Sequence, residues 1–286
     1  MNVSAADRDP VMIMVAPNGA RRNKADHPAL PMTPAELAQC ADDCRRAGAG
    51  AIHLHVRDDE GRHSLDADRY RQAIAAIRDR VGDDMLIQVT TEAVGRYRPD
   101  EQMALLRELR PQAASLAIRE VLPQGASARE VGEVAAFLHE MHDAGVLIQY
   151  ILYDGDDLRR LAVLHGEGRI PQRWPWMLFV LGRYAQDRQS APGDLMPFLR
   201  ELEKTGLRDA PWSVCAFGVN EFICAVNAVA LGGGVRVGFE NNLLLADGTG
   251  APDNAANVAQ VAAAVRKMGR QTASAGQILE RLSQLA

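Results

Sequence analysis

Eight times over, the chain alternates a short apolar run rich in branched residues with a longer stretch whose apolar residues recur at helical spacing. The runs cover residues 11–17, 51–57, 86–91, 113–118, 147–153, 176–182, 212–217 and 235–240. Helix-start signals lie between them. "TPAEL" from Thr33 offers a capping hydroxyl, a proline at the first helical position and an early acid, and "SAREV", "PGDLM" and "APDNA" open others. The "RRAGAG" run ends the first helix at glycine. Eight such units in 286 residues favour a closed parallel barrel, because closure leaves no edge strands and a barrel of this kind needs about 250 residues. The expectation is a (β/α)8 TIM barrel as a single domain over residues 1–286, with an added amphipathic helix at about 270–286. A doubly wound open sheet would place GxGxxG or GxxxxGK[ST] after its first strand, and neither is present. The glycines of "LGGGVRVG" read instead as a helix end and a tight turn into a strand.

The net charge of -5 comes from 37 acidic and 32 basic side chains spread along the chain, without a basic block that could neutralise a run of phosphates. Nucleic acid is excluded as a partner on that ground. "MNVSAADRDP" lacks the basic head and apolar core of a signal peptide, and no apolar run approaches the roughly 18 residues of a membrane span. The expected location is the cytoplasm. Cys40, Cys44, Cys215 and Cys224 show no CxxC spacing and read as reduced structural thiols.

One apolar run, "AIHLHVR", carries two imidazoles. Residues i and i+2 of a strand share a face, so His53, His55 and Arg57 point one way while Ile52, Leu54 and Val56 point the other. The apolar set suits packing against helices, which sends the histidines into the barrel near its C-terminal mouth, where such barrels keep their active sites. In "VRVGFENN" Glu240 is in phase with Arg236 and Gly238, and the last strand of a closed barrel lies beside the first. His53, His55 and Glu240 therefore form a candidate metal site of two imidazoles and a carboxylate with open positions, which suits zinc and does not exclude cobalt, nickel or iron. The alternative for each histidine is a satisfied core residue.

Other strand ends carry Thr90, Thr91, Glu92, Ser115, Arg119, Gln149, Tyr150, Arg183 and Tyr184, a ring that suits a small polar anion; singly, each also suits a loop or cap hydrogen bond. Arg236 is the leading anion-binding candidate, with a structural ion pair as its alternative. His139 and His142 read as solvated helix faces, His63 as a loop residue after the Gly61 turn, and His27 as a residue that either lines the mouth or does not. Trp174 and Trp176 read either as exposed or as packed before the sixth strand.

The motifs "APNGA", "HPALPMTPAELA", "AGAGAIHLHVRDDEGRHSLD", "IQVTTEA", "GGGVRVGFENNL" and "DNAANV" together resemble the β-keto acid cleavage enzymes over the stretch from Met12 to about Leu282. The resemblance implies a zinc-dependent barrel, with one Zn2+ per chain, that exchanges acyl groups between a β-keto acid and acetyl-CoA, giving acetoacetate and a new acyl-CoA. It implies His53, His55 and Glu240 as metal ligands, Arg236 as the arginine of the catalytic centre, Thr90 as a substrate contact, and a homotetramer. Two departures stand out. Arg21 replaces a glutamate that would face the distal end of the substrate, which points away from amino-keto acids and toward an acidic or neutral distal group. Asn241 replaces the aspartate that would act as general base, and an amide accepts no proton at neutral pH. Glu92 is the candidate replacement base, its alternative being a loop carboxylate paired with Arg96 or Arg119. Arg21, Thr90, Ser115 and Gln149 are the expected substrate-binding residues. The rival functions are a metal-dependent hydrolase or aldolase without CoA, and a keto-acid-binding protein without catalysis; the histidines that amidohydrolase barrels carry on later strands are missing here.

Overall fold

A computed structural model of the protein describes residues 9–183 and 189–285. Its strands are β1 (Ile13–Val15), β2 (Ala51–Leu54), β3 (Val56–Arg57), β4 (His63–Ser64), β5 (Leu86–Thr90), β6 (Ala113–Ala117), β7 (Leu147–Leu152), β8 (Trp176–Leu181), β9 (Trp212–Ala216) and β10 (Gly234–Val237). All except β3 and β4 join one closed parallel barrel in which β1 lies between β2 and β10. Met14 pairs with Ala51 on one side and Arg236 on the other. That register brings the C-terminal ends of β2 and β10 together across a single strand.

Helices α1 (Pro34–Ala47), α2 (Ala67–Val81), α3 (Pro99–Leu109), α4 (Ile118–Val121), α5 (Ala128–Asp143), α6 (Gly155–Gly166), α7 (Met196–Thr205), α8 (Glu221–Ala230), α9 (Asn254–Lys267) and α10 (Ala275–Leu285) follow the strands. The start signals act as expected: Thr33 and Glu36 form a reciprocal capping box before α1, and Ser127 and Glu130 form one before α5. Gly48 ends α1 in the left-handed conformation.

Strand alternation divides the core. Ile13, Val15, Ile52, Leu54, Ile87 and Val89 are buried against the helical layer. Met14, Ala51, Leu86, Ala113 and Trp176 form an inner cluster with Ile278 and Leu282 of α10. The terminal helix thus closes the N-terminal end of the barrel with apolar side chains, and polar groups gather at the other end. Trp176 belongs to this inner layer, which removes it as an exposed aromatic; Trp174 is partly buried against the outer core.

All eight predicted runs end one to three residues early, and two of those ends matter. The run 51–57 leaves the barrel after Leu54, and Val56–Arg57 pairs antiparallel with His63–Ser64. The last strand ends at Val237, so Glu240 stands on a turn beyond it and strand phase does not place it. Among the described residues no helix is long and apolar enough to cross a membrane. The four cysteines are free. Tyr184, one of the ring candidates, lies outside the described residues.

Candidate metal and acyl-transfer site

His53 and His55 are 1% and 0% exposed at the mouth of the barrel. Their Nε2 atoms are 3.1 Å apart, and Glu240 Oε2 lies 3.6 Å from the first and 3.4 Å from the second. A tetrahedral first-row ion with bonds of about 2.0–2.2 Å separates its ligand atoms by roughly 3.3–3.6 Å, so the three atoms already stand near the required spacing. Glu240 Oε2 is buried and accepts no hydrogen bond among the described residues. Three electron-rich atoms facing one another in a buried site repel unless a cation or proton lies among them. The residues fit a divalent cation.

Protonation agrees with that reading. Burial, followed by the charge of Arg236, pulls His53 down to about 4, and burial holds His55 well below the usual imidazole range. Both are neutral near pH 7, as ligation requires. Burial alone would push Glu240 up, but the Arg236 guanidinium holds its carboxyl well below the usual range.

The orientation of His53 is set by a relay of amides. Gln149 Nε2 donates to the Met177 carbonyl at 3.5 Å, which turns Gln149 Oε1 toward Gln88 Nε2 at 2.9 Å. Gln88 Oε1 then accepts from His53 Nδ1 at 2.7 Å, leaving Nε2 bare toward His55 and Glu240. Gln149 and Ser115 are buried below the mouth.

Glu240 reaches the histidines because two glycines make room. Gly238, at φ +129°, turns the chain off β10, and a Cβ there would stand 2.7 Å from the Ala16 carbonyl. Gly19, at φ +57°, lies over Glu240, and its Cβ would come within 2.5 Å of Glu240 Cγ. Gly19→Ala is therefore expected to displace the carboxylate and lower bound metal at least about 10-fold while the barrel stays folded, as measured by metal analysis beside circular dichroism. Arg57 donates to the carbonyls of Asn18, Gly19, Ala20 and Arg22, fastening this loop in place.

Arg236 lies in the same cluster. Its Nη2 donates to Glu240 Oε1 at 2.9 Å, to Cys215 Sγ at 3.3 Å and to Asn241 Oδ1 at 3.3 Å. Asn241 Nδ2 donates in turn to the Arg236 carbonyl at 3.2 Å and to Glu221 Oε1 at 3.3 Å. Burial pushes the Glu221 carboxyl up to about 7, opposed by donors from Gly238 and Asn257. A carboxylate at position 241 would face this acid and the Arg236 carbonyl inside the protein, a physical reason for an amide here.

Glu92 pairs with neither Arg96 nor Arg119. Its Oε1 accepts from Arg183 Nη2 at 2.7 Å, and burial followed by repulsion from Glu240 raises its carboxyl to about 7. Arg119 instead holds Asp154 and Asp157, each at 2.7 Å. Thr90 Oγ1 accepts from the Glu92 amide at 3.1 Å, and Thr90, Glu92, His53, Arg236 and Glu240 share one small cavity. A larger cavity of about 270 Å³ opens above, lined by Arg21, Arg22, Glu92, Arg183, Glu240 and Asn241 among others. His27 does not line it: its ring packs on Phe239 and its Nε2 lies 3.0 Å from the Ala251 carbonyl.

The sequence reading of His63 as a loop residue is corrected. His63 is 3% exposed in the β3–β4 hairpin, with Nδ1 3.4 Å from His55 Nδ1 and Nε2 3.0 Å from the Glu92 carbonyl. Gln88 and Glu221 were also missed. Gln88 follows strand alternation from Thr90 and was open to detection; Glu221 reads as an ordinary first-turn acid.

Comparison with known proteins gives one consistent result. The family model described as beta-keto acid cleavage enzyme matches residues 10–283. A 3-keto-5-aminohexanoate cleavage enzyme of Fusobacterium nucleatum is 30% identical over 275 residues, covering 96% of this chain and 97% of that one. A 3-oxoadipate:acetyl-CoA acetyltransferase of Cupriavidus necator is 29% identical, covering 94% and 93%. Among solved structures, apo ObcA superposes with a TM-score of 0.72 at 18% identity, over 90% of this chain and 66% of that longer chain, which supports the fold alone. With the His53, His55 and Glu240 cluster at the mouth of a (β/α)8 barrel and a family match over nearly its whole length, the chain belongs to the β-keto acid cleavage enzymes.

Proposed function

We propose that this enzyme uses zinc to exchange acyl groups between acetyl-CoA and a β-keto acid carrying a distal carboxylate, yielding acetoacetate and a new acyl-CoA. The observation that carries the reading is the shared small cavity of His53, Glu240, Arg236, Thr90 and Glu92. That cavity supports the reading because two of the three candidate metal ligands, a buried guanidinium and a carboxyl pushed up to about 7 by burial all line one small space. The 3-oxoadipate:acetyl-CoA acetyltransferase relative supports the substrate class.

When bound by His53, His55 and Glu240, the ion supplies Lewis-acid polarisation of the substrate's oxygens. Glu92 takes a proton from the carbon between the keto group and the carboxylate. That carbon bonds to the acetyl carbonyl carbon as the acetyl C–S bond breaks and frees the CoA thiolate. The thiolate then attacks the original keto carbon, the bond from that carbon to the former substrate carbon breaks, and the departing enolate takes back the proton held by Glu92. The substrate fragment leaves as acetoacetate, so no water or redox partner is consumed. Arg236 offsets the charge of the enolate from a desolvated position, with Glu240 and Asn241 fixing its direction. Thr90 shapes the inner cavity beside His53, while Gln149 acts at a distance by holding Gln88 against His53.

Glu92→Gln is expected to lower kcat by about 100-fold to 10,000-fold. In the parent enzyme kcat should rise with pH through about 7, because the base works only after losing its proton, and the variant should lose that limb. Unchanged turnover in Glu92→Gln would remove Glu92 from the role.

Arg21, Arg22 and Arg183 all line the outer cavity, where they favour an anionic distal group. Arg21→Glu is expected to shift the ratio of kcat/KM for a β-keto diacid over an amino-keto acid by about 100-fold toward the amine. Equal turnover of the two substrates by the parent enzyme would contradict this assignment.

A further inference from the structure

We infer that His63 is a positioning residue for the metal site, fixing the tautomer of His55 and tying it to the segment that bears Glu92. The inference rests on the metal reading of His53, His55 and Glu240 and adds a residue to it.

The hydrogen-bond directions leave one consistent assignment. The Glu92 carbonyl can only accept, so His63 Nε2, 3.0 Å away, carries the hydrogen. A neutral imidazole carries one ring hydrogen, so with Nε2 donating to the carbonyl, His63 Nδ1 is the nitrogen with the bare lone pair. That nitrogen faces His55 Nδ1 at 3.4 Å, so His55 carries its hydrogen on Nδ1 and presents a bare Nε2 to His53 and Glu240. His53 reaches the same state through Gln88 and Gln149. Two relays, one ending on the Met177 carbonyl and the other on the Glu92 carbonyl, aim both imidazoles at one point.

The second consequence concerns Glu92. Its backbone is anchored to His63 while its carboxylate faces the inner cavity. A ring that holds a ligand on one side and this carbonyl on the other sets the spacing between the metal set and the proposed base. The hairpin that delivers His63 is closed by the pairing of Arg57 with His63, and the Tyr97 ring packs edge-on against the imidazole at 6.1 Å between centroids. His63 is thus held by neighbours other than His55.

The test compares the parent with His63→Phe, which keeps a flat buried ring without an acceptor, and His63→Gln, which restores an acceptor. Zinc affinity is read by competition with a chelator of known affinity, and thermal midpoints verify that each variant is folded. The expected result is a dissociation constant about 10-fold to 100-fold weaker for His63→Phe, with His63→Gln recovering most of the loss. A folded His63→Phe that binds zinc as tightly as the parent overturns the inference. 15N spectra of histidine-labelled metal-free protein give a readout independent of zinc: His55 should be protonated on Nδ1 in the parent and lose that preference in His63→Phe. If the parent bound no zinc, the metal reading would fall, and an unaltered His55 tautomer in His63→Phe would still refute the positioning role by itself.

Discussion

His53→Ala and His55→Ala are each expected to abolish tight metal binding and to lower turnover by about 1,000-fold or more. Each removes one of the three proposed ligands, and the Lewis-acid contribution at stake in that proposal is several kcal/mol, with each factor of ten corresponding to about 1.4 kcal/mol. The remaining pair cannot substitute, because a single imidazole and a carboxylate already engaged by Arg236 make a poor site. Metal analysis after dialysis, alongside acyl-exchange rates, checks both halves. The depression of both imidazoles gives the expected pH behaviour: His53 and His55 stay neutral as pH falls through 6, so metal bound by the proposed ligands should be retained there and lost only in stronger acid. Either variant holding stoichiometric zinc would contradict the ligand assignment.

Arg236→Ala is expected to lower kcat by about 100-fold to 1,000-fold, the range for removing one preorganised donor at a developing oxyanion. The guanidinium is 4% exposed and directs three polar neighbours, so a smaller or rounder cation does not replace it. Arg236→Lys should recover only part of the loss. Removing the partner of buried Glu240 also destabilises the protein, on the order of 3–5 kcal/mol for a broken buried pair without metal. Zinc held by the proposed ligands should offset much of that by compensating the unpaired carboxylate charge, so the thermal midpoint of Arg236→Ala should rise more on zinc addition than that of the parent. Steady-state kinetics at saturating zinc and thermal melts with and without the ion measure the two effects separately.

The barrel was legible because its signals are local. Branched apolar runs, capping boxes at Thr33 and Ser127 and a stop at Gly48 lie within single elements. His53 and His55 were legible for the same reason, since two imidazoles two apart in an apolar run break the pattern of a core strand. Glu240 was found with an incomplete argument: strand phase selected it, whereas the Gly238 turn and the space left by the missing side chain of Gly19 bring it in. What stayed hidden depends on contacts distant in sequence. The Glu92–Arg183 pair spans 91 positions, and no local spacing indicates it. His63 was misread because the hairpin that buries it is only two residues long on each side, too short for a period to show. The Glu221–Asn241 contact joins a helix start to a turn 20 positions later, and neither residue alone announces the other.

The most direct test of the central claim is turnover of a panel of β-keto acids by zinc-loaded protein with and without acetyl-CoA, following acetoacetate and the new acyl-CoA together. The account predicts both products in equal amounts, only with acetyl-CoA present, and fastest with a substrate bearing a distal carboxylate. Cleavage without acetyl-CoA would assign the site to hydrolysis or aldol chemistry, and tight keto-acid binding with no product in either arm would contradict catalysis altogether.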